Sequence, residues 1–324
     1  ATVVIPAGSA GASLDLSLLD DGLYEGSETI ELQLQGASGA DVDASAALHL
    51  VTVLDDDAAP EVSFVAASSS VGEGAGAASV EVALSAASGL PVTVEFAASG
   101  DAVEGVDYAL GSASPLVIAA GQTSAQIPIT LLDDGLDEAD ETVVLTLGAA
   151  TDATVGAVGA HTLSILDDDA QPTVGFDLAA ASVGEGAGSA AATVSLSAAS
   201  GRDVSVPFAL SGTATEGVDF TLGVSSPLVI PAGQTSVAVP VTLSDDLLDE
   251  PSETVVLTLG AADFADAGAQ QEFVLTVEDD DATPTVGFVT ASSSAGEASG
   301  VLSIALALSA PSGQEVSVTL GVGG

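Results

Sequence analysis

The chain has 324 residues, room for two or three ordinary domains, and its 47 Asp and Glu face one basic residue, Arg202, giving a formal net charge of −46. That charge excludes nucleic acid and anionic membranes as partners, because both would repel the chain. A hydrophobic content of 47% excludes an acidic disordered tail, and because only 3% of residues are aromatic we expect a thin, aliphatic core between packed sheets.

Two absences from the sequence narrow the class of protein further. There is no Cys, so no disulfide stabilises the fold, which is also true of many secreted repeat proteins. There is no run of about 18 apolar residues, so we expect no direct membrane insertion of this segment.

The chain repeats itself at an interval of about 112 residues, which is the length of a domain. Pro60, Pro172 and Pro284 each begin a short segment that ends in Phe, and a run of three Asp precedes each proline. We therefore predict domains in tandem rather than a solenoid. The predicted segments are 1–57 (the C-terminal half of a repeat), 58–169 and 170–281 (full repeats) and 282–324 (the N-terminal half of a repeat).

The partial segments at the two ends leave two interpretations open. The sequence is either a window on a longer array of repeats, or a subunit whose ends complete each other, so that like subunits join end to end in a filament. Against the second interpretation, the two ends together lack the counterpart of residues 101–113.

The pattern within a repeat is that of β-strands. Apolar and polar residues alternate over 80–85, 92–96 and, less regularly, 142–147, which indicates half-buried strands. Turn residues such as Ser88-Gly89 and Asp134-Gly135 separate these runs. About seven short strands in a repeat of this length predict an all-β fold, a Greek-key sandwich of two sheets.

Acidic residues cluster where the predicted strands end. In the first full repeat Asp133 and Asp134 follow the predicted strand 125–132, and three Asp follow the predicted strand 160–166. Loops collect at the two ends of a sandwich, so acids that are distant in sequence can converge there. The second full repeat carries acids at the same positions.

Abundant carboxylates without Cys favour Ca²⁺ as a ligand, because Ca²⁺ takes about six to eight oxygens in a flexible geometry whereas Mg²⁺ retains its waters. Roughly nine or ten carboxylates per repeat predict about two to four ions per full domain. The alternative is a solvated acidic surface adapted to high salt. Against it, the clustered acids keep their positions between repeats, whereas Glu81 and Glu95 have no acidic counterpart in the second full repeat.

Taken together, these residues resemble the Calx-β family, a domain of sodium–calcium exchanger regulatory regions, an integrin β subunit and large bacterial surface proteins. The resemblance covers essentially the whole chain, and it implies tandem immunoglobulin-like sandwiches of about seven strands each, with calcium at one end. In the first full repeat the matching blocks lie at 71–76, 104–108, 118–124, 132–142 and 165–169.

The resemblance also implies the calcium ligands. In the first full repeat they are Glu73, Asp107, Asp133, Asp134, Glu138, Glu141, Asp167, Asp168 and Asp169. In the second they are Glu185, Asp219, Asp245, Asp246, Glu250, Glu253, Asp279, Asp280 and Asp281. The first half-repeat keeps Asp20, Asp21, Glu25, Glu28, Asp55, Asp56 and Asp57, and the last half-repeat keeps only Glu297.

Other residues with chemical potential are assigned no site. His49 and His161 occupy equivalent positions, and Phe273 stands at the third, so we predict a packing role. Arg202 lies in a turn and is given no function. No Gly-x-Ser-x-Gly motif and no Cys supply a nucleophile, and we predict no enzymatic activity.

The short linker between each Asp triplet and the next repeat predicts that calcium lies at the junction and stiffens it. The predicted function is therefore a calcium-binding stalk or filament region of an extracellular or cell-surface bacterial protein with an adhesive role. The predicted partners are calcium ions and neighbouring repeats of the chain. The alternative is a calcium-sensing regulatory module of a membrane transporter.

Overall fold

The computed structural model describes residues 1–323, and its secondary structure is all-β, as predicted. The chain forms two compact units: residues 1–133 with 140–167, and residues 134–139 with all residues from Asp168 onward. Helical structure in residues 1–323 is limited to 3-10 turns at Glu73–Ala75, Glu185–Ala187 and Glu297–Ser299. Within this range, no helix has the length and apolar character needed to cross a membrane.

The strands of the first unit are short and follow one another closely. In chain order they are β1 (Glu28–Gln33), β2 (Leu48–Val53), β3 (Glu61–Phe64), β4 (Ser68–Gly72), β5 (Ala77–Leu84), β6 (Val92–Gly100), β7 (Tyr108–Leu110), β8 (Leu116–Ile118), β9 (Ser124–Leu131), β10 (Glu141–Thr151), β11 (Thr154–Val155) and β12 (Ala160–Leu166).

The second unit contains the second full repeat followed by the last half-repeat. Its strands are β13 (Thr173–Phe176), β14 (Ala180–Gly184), β15 (Ser189–Leu196), β16 (Val204–Val206), β17 (Phe208–Gly212), β18 (Phe220–Leu222), β19 (Leu228–Ile230), β20 (Ser236–Leu243), β21 (Glu253–Leu259), β22 (Asp266–Ala267), β23 (Glu272–Glu278), β24 (Val286–Phe288) and β25 (Leu306–Leu308).

The first full repeat is built from two five-stranded sheets, with the orders β4-β12-β10-β6-β8 and β11-β3-β5-β9-β7. Its first strand is divided between them: β3 pairs antiparallel with β5, whereas β4 pairs in parallel with β12. This division, together with the short strands β7, β8 and β11, raises the number of strand segments above the seven or so predicted from the sequence. The division also matters for the candidate site, because β4 and β12 end at the same edge.

Aliphatic side chains from both sheets form the core of this repeat. Val80 and Val82 of β5 are buried, and they belong to the same cluster as Val143 and Leu145 of β10 in the opposite sheet. Each such side chain stabilises the fold by about 1.5–3 kcal/mol when it is fully buried. The predicted alternation is therefore confirmed in β5, where the residue between the two valines, Glu81, is only partly covered.

The second full repeat has the same core, but one of its strands is interrupted. Where β6 of the first repeat runs without a break, Pro207 separates β16 from β17. Proline has no backbone N–H to donate, so the ladder stops there. As a result β16 pairs with β19, while β17 joins a separate sheet of order β14-β23-β21-β17.

The two half-repeats each form one two-stranded sheet, β1 with β2 and β24 with β25. Their apolar side chains are exposed: Phe288 is 57% exposed, whereas the equivalent Phe176 of the full repeat is 5% exposed. The second sheet that covers Phe176 in a full repeat has no counterpart over Phe288 within residues 282–323.

His161 is a buried packing residue, as predicted. Its Nδ1 donates to the carbonyl oxygen of Ala66 at 2.7 Å, and its Nε2 accepts from the hydroxyl of Ser69 at 2.8 Å. Its ring centroid lies 5.8 Å from that of Phe64. Phe273 occupies the same place in the next repeat and lies 5.7 Å from Phe176. Because both ring nitrogens of His161 are engaged, neither is free to bind a metal.

Candidate metal centres

The strand pairing of the second full repeat brings three acidic segments to one edge. Strands β14 and β23 run in parallel, and Gly184 at the end of β14 lies opposite Glu278 at the end of β23. Glu185 follows β14, and the run 279–281 follows β23, so these acids leave the sheet side by side. Asp245 and Asp246 come just after β20.

Carboxylates from these segments approach closely enough to share an ion. Oxygen atoms of Glu185, Asp246 and Asp281 lie within 4.8 Å of one another. A second set of oxygens, from Glu185, Asp245 and Asp280, meets the same limit. Both groups consist of residues predicted as ligands from the sequence, and Glu185 belongs to both.

Two glycines that follow Glu185 shape this part of the edge. A Cβ atom at Gly186 would lie 2.7 Å from Oδ2 of Asp280, which is closer than real contacts allow. Gly188, at φ 78°, closes the 3-10 turn in the left-handed region, and its N–H donates to the carbonyl oxygen of Glu185. Gly186 therefore leaves space for the Asp280 carboxylate, and Gly188 ends the turn that carries Glu185.

A second part of the same edge contains Asp219, Glu250 and Glu253. Glu253 begins β21 and shares a side-chain hydrogen bond with Asp219. Burial, then the hydrogen bond and negative charge of Asp219, raises the pKa of Glu253 to about 7. Burial, then the charge of Asp246 and of Asp219, also raises the pKa of Glu250. Through these neighbours the group is continuous with the acids around Glu185.

The electrostatics at Glu185 show how crowded the edge is. Burial, followed by the charge of Asp279 and of three other Asp, raises the pKa of Glu185 to about 7. Desolvation, followed by the charges of Asp279 and Asp280, raises the pKa of Asp281. With so few basic residues in the chain, protons or metal ions must supply the positive charge.

Three buried oxygen atoms at this edge provide the test of whether a cation fits. Oε1 of Glu185, Oδ1 of Asp279 and Oδ2 of Asp281 are buried and have no hydrogen-bond partner among residues 1–323. A buried carboxylate oxygen without a partner is costly, whereas a bound cation would satisfy it. All the donors are hard oxygens, which suits Ca²⁺ better than a transition metal. The residues present therefore fit a calcium ion.

The predicted ligands of the first full repeat are divided between the two compact units. Within the first unit, oxygens of Glu73 and Asp133 lie within 4.8 Å of each other. Asp107 accepts from the N–H of Val103 at 2.6 Å within its own loop. The N–H of Asp167 donates to Asp140, a residue that was not predicted as a ligand, at 3.2 Å. Glu141 begins β10 at the same edge.

Four further predicted ligands of this repeat, Asp134, Glu138, Asp168 and Asp169, belong to the second compact unit. There, Asp134 accepts from the N–H of Leu136 at 2.9 Å and so closes the turn of its own loop.

The first half-repeat also brings acids together. Desolvation, followed by the charges of Asp55 and Asp20, raises the pKa of Asp57. The N–H of Glu25 donates to Asp55 at 3.1 Å. Asp21, Asp56 and Glu28 lie in or beside the same loops and are exposed. Glu297 begins the last 3-10 turn, and its counterparts in the full repeats are Glu73 and Glu185.

Residues of a different kind, which were not predicted from the sequence, lie at a recurring turn. Asp137 is 3% exposed and lies 3.7 Å from Arg202, to which no function was assigned from the sequence. Ser88 and Ser200 are each 1% exposed. The signal that would have found them is repetition: a Ser-Gly pair recurs at 88–89, 200–201 and 312–313.

Solved structures similar to this chain include CBD12 from CALX1.2, which is 19% identical, covers 67% of this chain and 100% of that chain, and has a TM-score of 0.33. The calcium binding domain CBD12 of CALX1.1 is also 19% identical, over 66% of this chain and 99% of that chain, with a TM-score of 0.33. The apo-form Calx CBD1 domain is 25% identical, over 34% of this chain and 98% of that chain, with a TM-score of 0.32.

The family comparison covers the two full repeats. The model of the Calx-beta domain matches residues 55–169 and again residues 167–280, together more than half of the chain. These ranges include the acidic segments of the two full repeats, apart from Asp281 at the end of the second. The chain therefore belongs to the Calx-beta domain family and carries the domain twice in tandem.

Proposed function

We propose that the chain is a calcium-binding structural region, stiffened by calcium, in a stalk or filament of an extracellular or cell-surface bacterial protein with an adhesive role. The observation that carries this proposal is the set of buried, unpartnered oxygens of Glu185, Asp279 and Asp281 at an edge crowded with carboxylates. In this role the chain acts by binding and holding shape, without catalysis.

Calcium suits this edge because it relieves two costs at once. It would act as the missing partner of the buried oxygens, and it would compensate for the burial and the neighbouring negative charges that raise the pKa of Glu185 and of Glu253. Glu185 with Asp246 and Asp281 would hold one ion and Glu185 with Asp245 and Asp280 a second, since the oxygens within each set already lie within reach of one another.

The mechanical role follows from where these acids lie along the chain. The run 279–281 ends a full repeat, and the next segment begins only three residues later at Pro284. An ion that binds this run together with Glu185 and Asp246 would fix the direction in which the chain leaves the sheet. Without the ion, the clustered charges repel one another, and the chain segment that leaves the repeat is free to move.

Calorimetric titration of calcium into the full chain tests the binding. We expect saturable binding with dissociation constants of about 10⁻⁴–10⁻³ M, the range of extracellular calcium modules. The double variant Glu185→Gln, Asp281→Asn should bind less calcium, so the heat of calcium binding measured in the titration should be smaller. The control Glu81→Gln, Glu95→Gln removes the same charge from acids that do not recur and should bind as the unaltered chain does. No binding near millimolar calcium would leave the acids as a solvated surface.

Small-angle scattering tests the stiffening. We expect a larger and better-defined maximum dimension with calcium than with chelator, because bound ions restrain the exit of each repeat. Equal dimensions in the two conditions would remove the mechanical part of the proposal while leaving the binding intact.

The calcium affinity also separates this proposal from its alternative, a calcium-sensing regulatory module of a membrane transporter. Such a sensor must respond to intracellular calcium, with dissociation constants of about 10⁻⁷–10⁻⁵ M. Membership of the Calx-beta domain family is compatible with either role. Binding in the micromolar range would favour the sensor, and binding in the range of extracellular modules would favour the stalk.

A further inference from the structure

We infer that the Ser–Gly turn near the start of each repeat is a docking element for the acidic loop that precedes it in the chain, and that it holds this loop without any metal. The Ser–Gly turns are residues 88–89, 200–201 and 312–313, and the acidic loops are residues 20–25, 133–138 and 245–250. This inference goes beyond the proposed calcium role and does not depend on it.

The contact has the same form at all three places. The Gly N–H of the turn donates to a main-chain carbonyl oxygen of the loop, and the Ser hydroxyl donates to the same oxygen. The amide distances are 3.0 Å for Gly89 to Tyr24, 3.0 Å for Gly201 to Asp137 and 3.1 Å for Gly313 to Asp249. The hydroxyl distances are 3.2 Å for Ser88, 3.1 Å for Ser200 and 3.3 Å for Ser312.

The hydroxyl also organises the turn itself. It accepts from the N–H two residues later, at 3.0 Å from Leu90, 3.1 Å from Arg202 and 3.2 Å from Gln314. Each Ser hydroxyl therefore both donates and accepts, which suits its burial: Ser88 and Ser200 are each 1% exposed. A side chain without a hydroxyl would leave the turn amide and the loop carbonyl with one partner fewer.

Glycine at the second position of the turn makes space for a loop side chain. A Cβ atom at Gly89 would lie 2.5 Å from Oε1 of Glu25. The same atom at Gly201 would lie 2.2 Å from Oε1 of Glu138, and at Gly313 it would lie 2.2 Å from Oε1 of Glu250. The Glu that recurs in the acidic loop thus packs over the Gly that recurs in the turn.

No metal is required for this contact, because it uses main-chain groups. The carbonyl oxygens of Tyr24, Asp137 and Asp249 accept hydrogen bonds from neutral donors, and these bonds form irrespective of the charge on the loop. Asp245 and Asp246, which crowd the metal edge, make none of these hydrogen bonds, and Glu250 contributes only its packing over Gly313. The turn therefore remains hydrogen-bonded to the loop when calcium is absent.

The middle contact, within the second compact unit, is reinforced by charge. The carboxylate of Asp137 accepts from the hydroxyl of Ser200 at 3.2 Å and lies 3.7 Å from the guanidinium of Arg202. That guanidinium lies 4.9 Å from the centre of the Phe264 ring. Leu90 and Gln314 stand where Arg202 stands, so the other two contacts have no such ion pair.

Hydrogen–deuterium exchange on the full chain in chelator tests the inference. We expect the amides of Gly201 and Arg202 to be protected without calcium, and Ser200→Ala to speed their exchange by about tenfold or more. The turns at 88–89 and 312–313 of the same variant serve as internal references. Ser195→Ala, a strand serine of the same repeat, is the matched control and should leave these amides unchanged.

Two results would overturn the inference: exchange of the Gly201 amide at the rate of an open turn in chelated protein, or protection that arises only when calcium is added. Peptides from β20 and β21 report whether the variant remains folded. If Ser200→Ala unfolds them, Arg202→Gln gives the same test, because Gln is the residue at the third turn and the change should speed exchange in residues 134–139 alone. Loss of calcium binding in a separate titration would leave these outcomes unchanged.

Discussion

The acidic edge of the second full repeat and the Ser–Gly turns are both made of residues that recur along the chain, yet they differ in one respect. At the edge, buried oxygens of Glu185, Asp279 and Asp281 have no partner among residues 1–323. At the turns, the buried hydroxyl of Ser200 both donates and accepts. Recurrence alone therefore does not separate a ligand site from a structural contact, whereas hydrogen-bond satisfaction does.

The largest expected effect comes from adding calcium to chelated protein. If the edge needs an ion, each bound ion stabilises the folded state by about 2.7 kcal/mol at a hundredfold excess over its dissociation constant. With several ions per repeat, the thermal unfolding midpoint should rise by about 10 °C or more. Differential scanning calorimetry in chelator and in calcium measures the shift, and magnesium at the same concentration is the control. A midpoint that is the same in all three conditions would falsify the metal-binding assignment.

A smaller effect, with opposite signs in two conditions, is expected for Glu185→Gln, Asp281→Asn. In chelator the variant should be more stable than the unaltered chain, because two charges leave a crowded edge. In calcium it should be less stable, because the ion loses two carboxylates. The unfolding midpoint should rise in chelator and fall in calcium, by a few degrees in each direction. Glu81→Gln, Glu95→Gln should show no such reversal.

Protonation should replace calcium in part, which gives a pH dependence. The pKa of Glu185 and of Glu253 is raised from 4.5 to about 7 in the folded chelated protein, so the folded state binds protons more tightly than the unfolded state. The stabilisation from these protons is fully present below pH 4.5 and is lost as the pH rises through 7. Chelated protein should therefore unfold a few degrees higher at pH 5.5 than at pH 8.

The same melting curves in saturating calcium provide the contrast for the pH experiment. Calcium competes with protons for the carboxylates, so the gain at low pH should shrink or reverse. If the thermal unfolding midpoint of the chelated protein is lower at pH 5.5 than at pH 8, the result would contradict the raised pKa values of Glu185 and Glu253.

Much of the fold follows from the sequence because its signals are local. The alternation over 80–85 predicts the inward side chains of β5, and the 112-residue interval, about the length of a domain, predicts a second copy of each strand. The break at Pro207 was also visible in the sequence, since proline cannot donate within a ladder. Local patterns do not show which strands pair across the repeat. The parallel register of β14 with β23 is such a pairing, and it brings Glu185 to the run 279–281.

The candidate site, too, could be predicted from the sequence only in part. Residue type and family resemblance indicated which acids to consider, and the structure places those of the second full repeat at one edge. The sequence did not reveal that Asp137 differs from its neighbours in the acidic loop, because its burial depends on contacts with Ser200 and Arg202, more than 60 positions later. The sequence alone does not distinguish a buried Asp from an exposed one, because burial depends on where the partner residues lie in the fold.

A change at the turn should act regardless of metal. Ser200→Ala removes the hydroxyl that bonds to Asp137 and to the N–H of Arg202, and the cost should be about 1 kcal/mol. Chemical unfolding in chelator and in calcium should give the same difference from the unaltered chain. Ser195→Ala is the control for loss of a hydroxyl. A difference that vanishes in either condition would place the turn and the metal edge in one coupled system.

The smallest expected effect is that of Arg202→Gln, which converts the middle contact into a form like the third. Gln can still donate to Asp137 but carries no charge, and the Arg202 side chain is 25% exposed, so the loss should be at most about 1 kcal/mol. Because salt screens the ion pair, the stability difference between variant and unaltered chain should shrink from low salt to about 1 M NaCl. A difference that is independent of salt would mean that Arg202 acts through its packing on the Phe264 ring rather than through its charge.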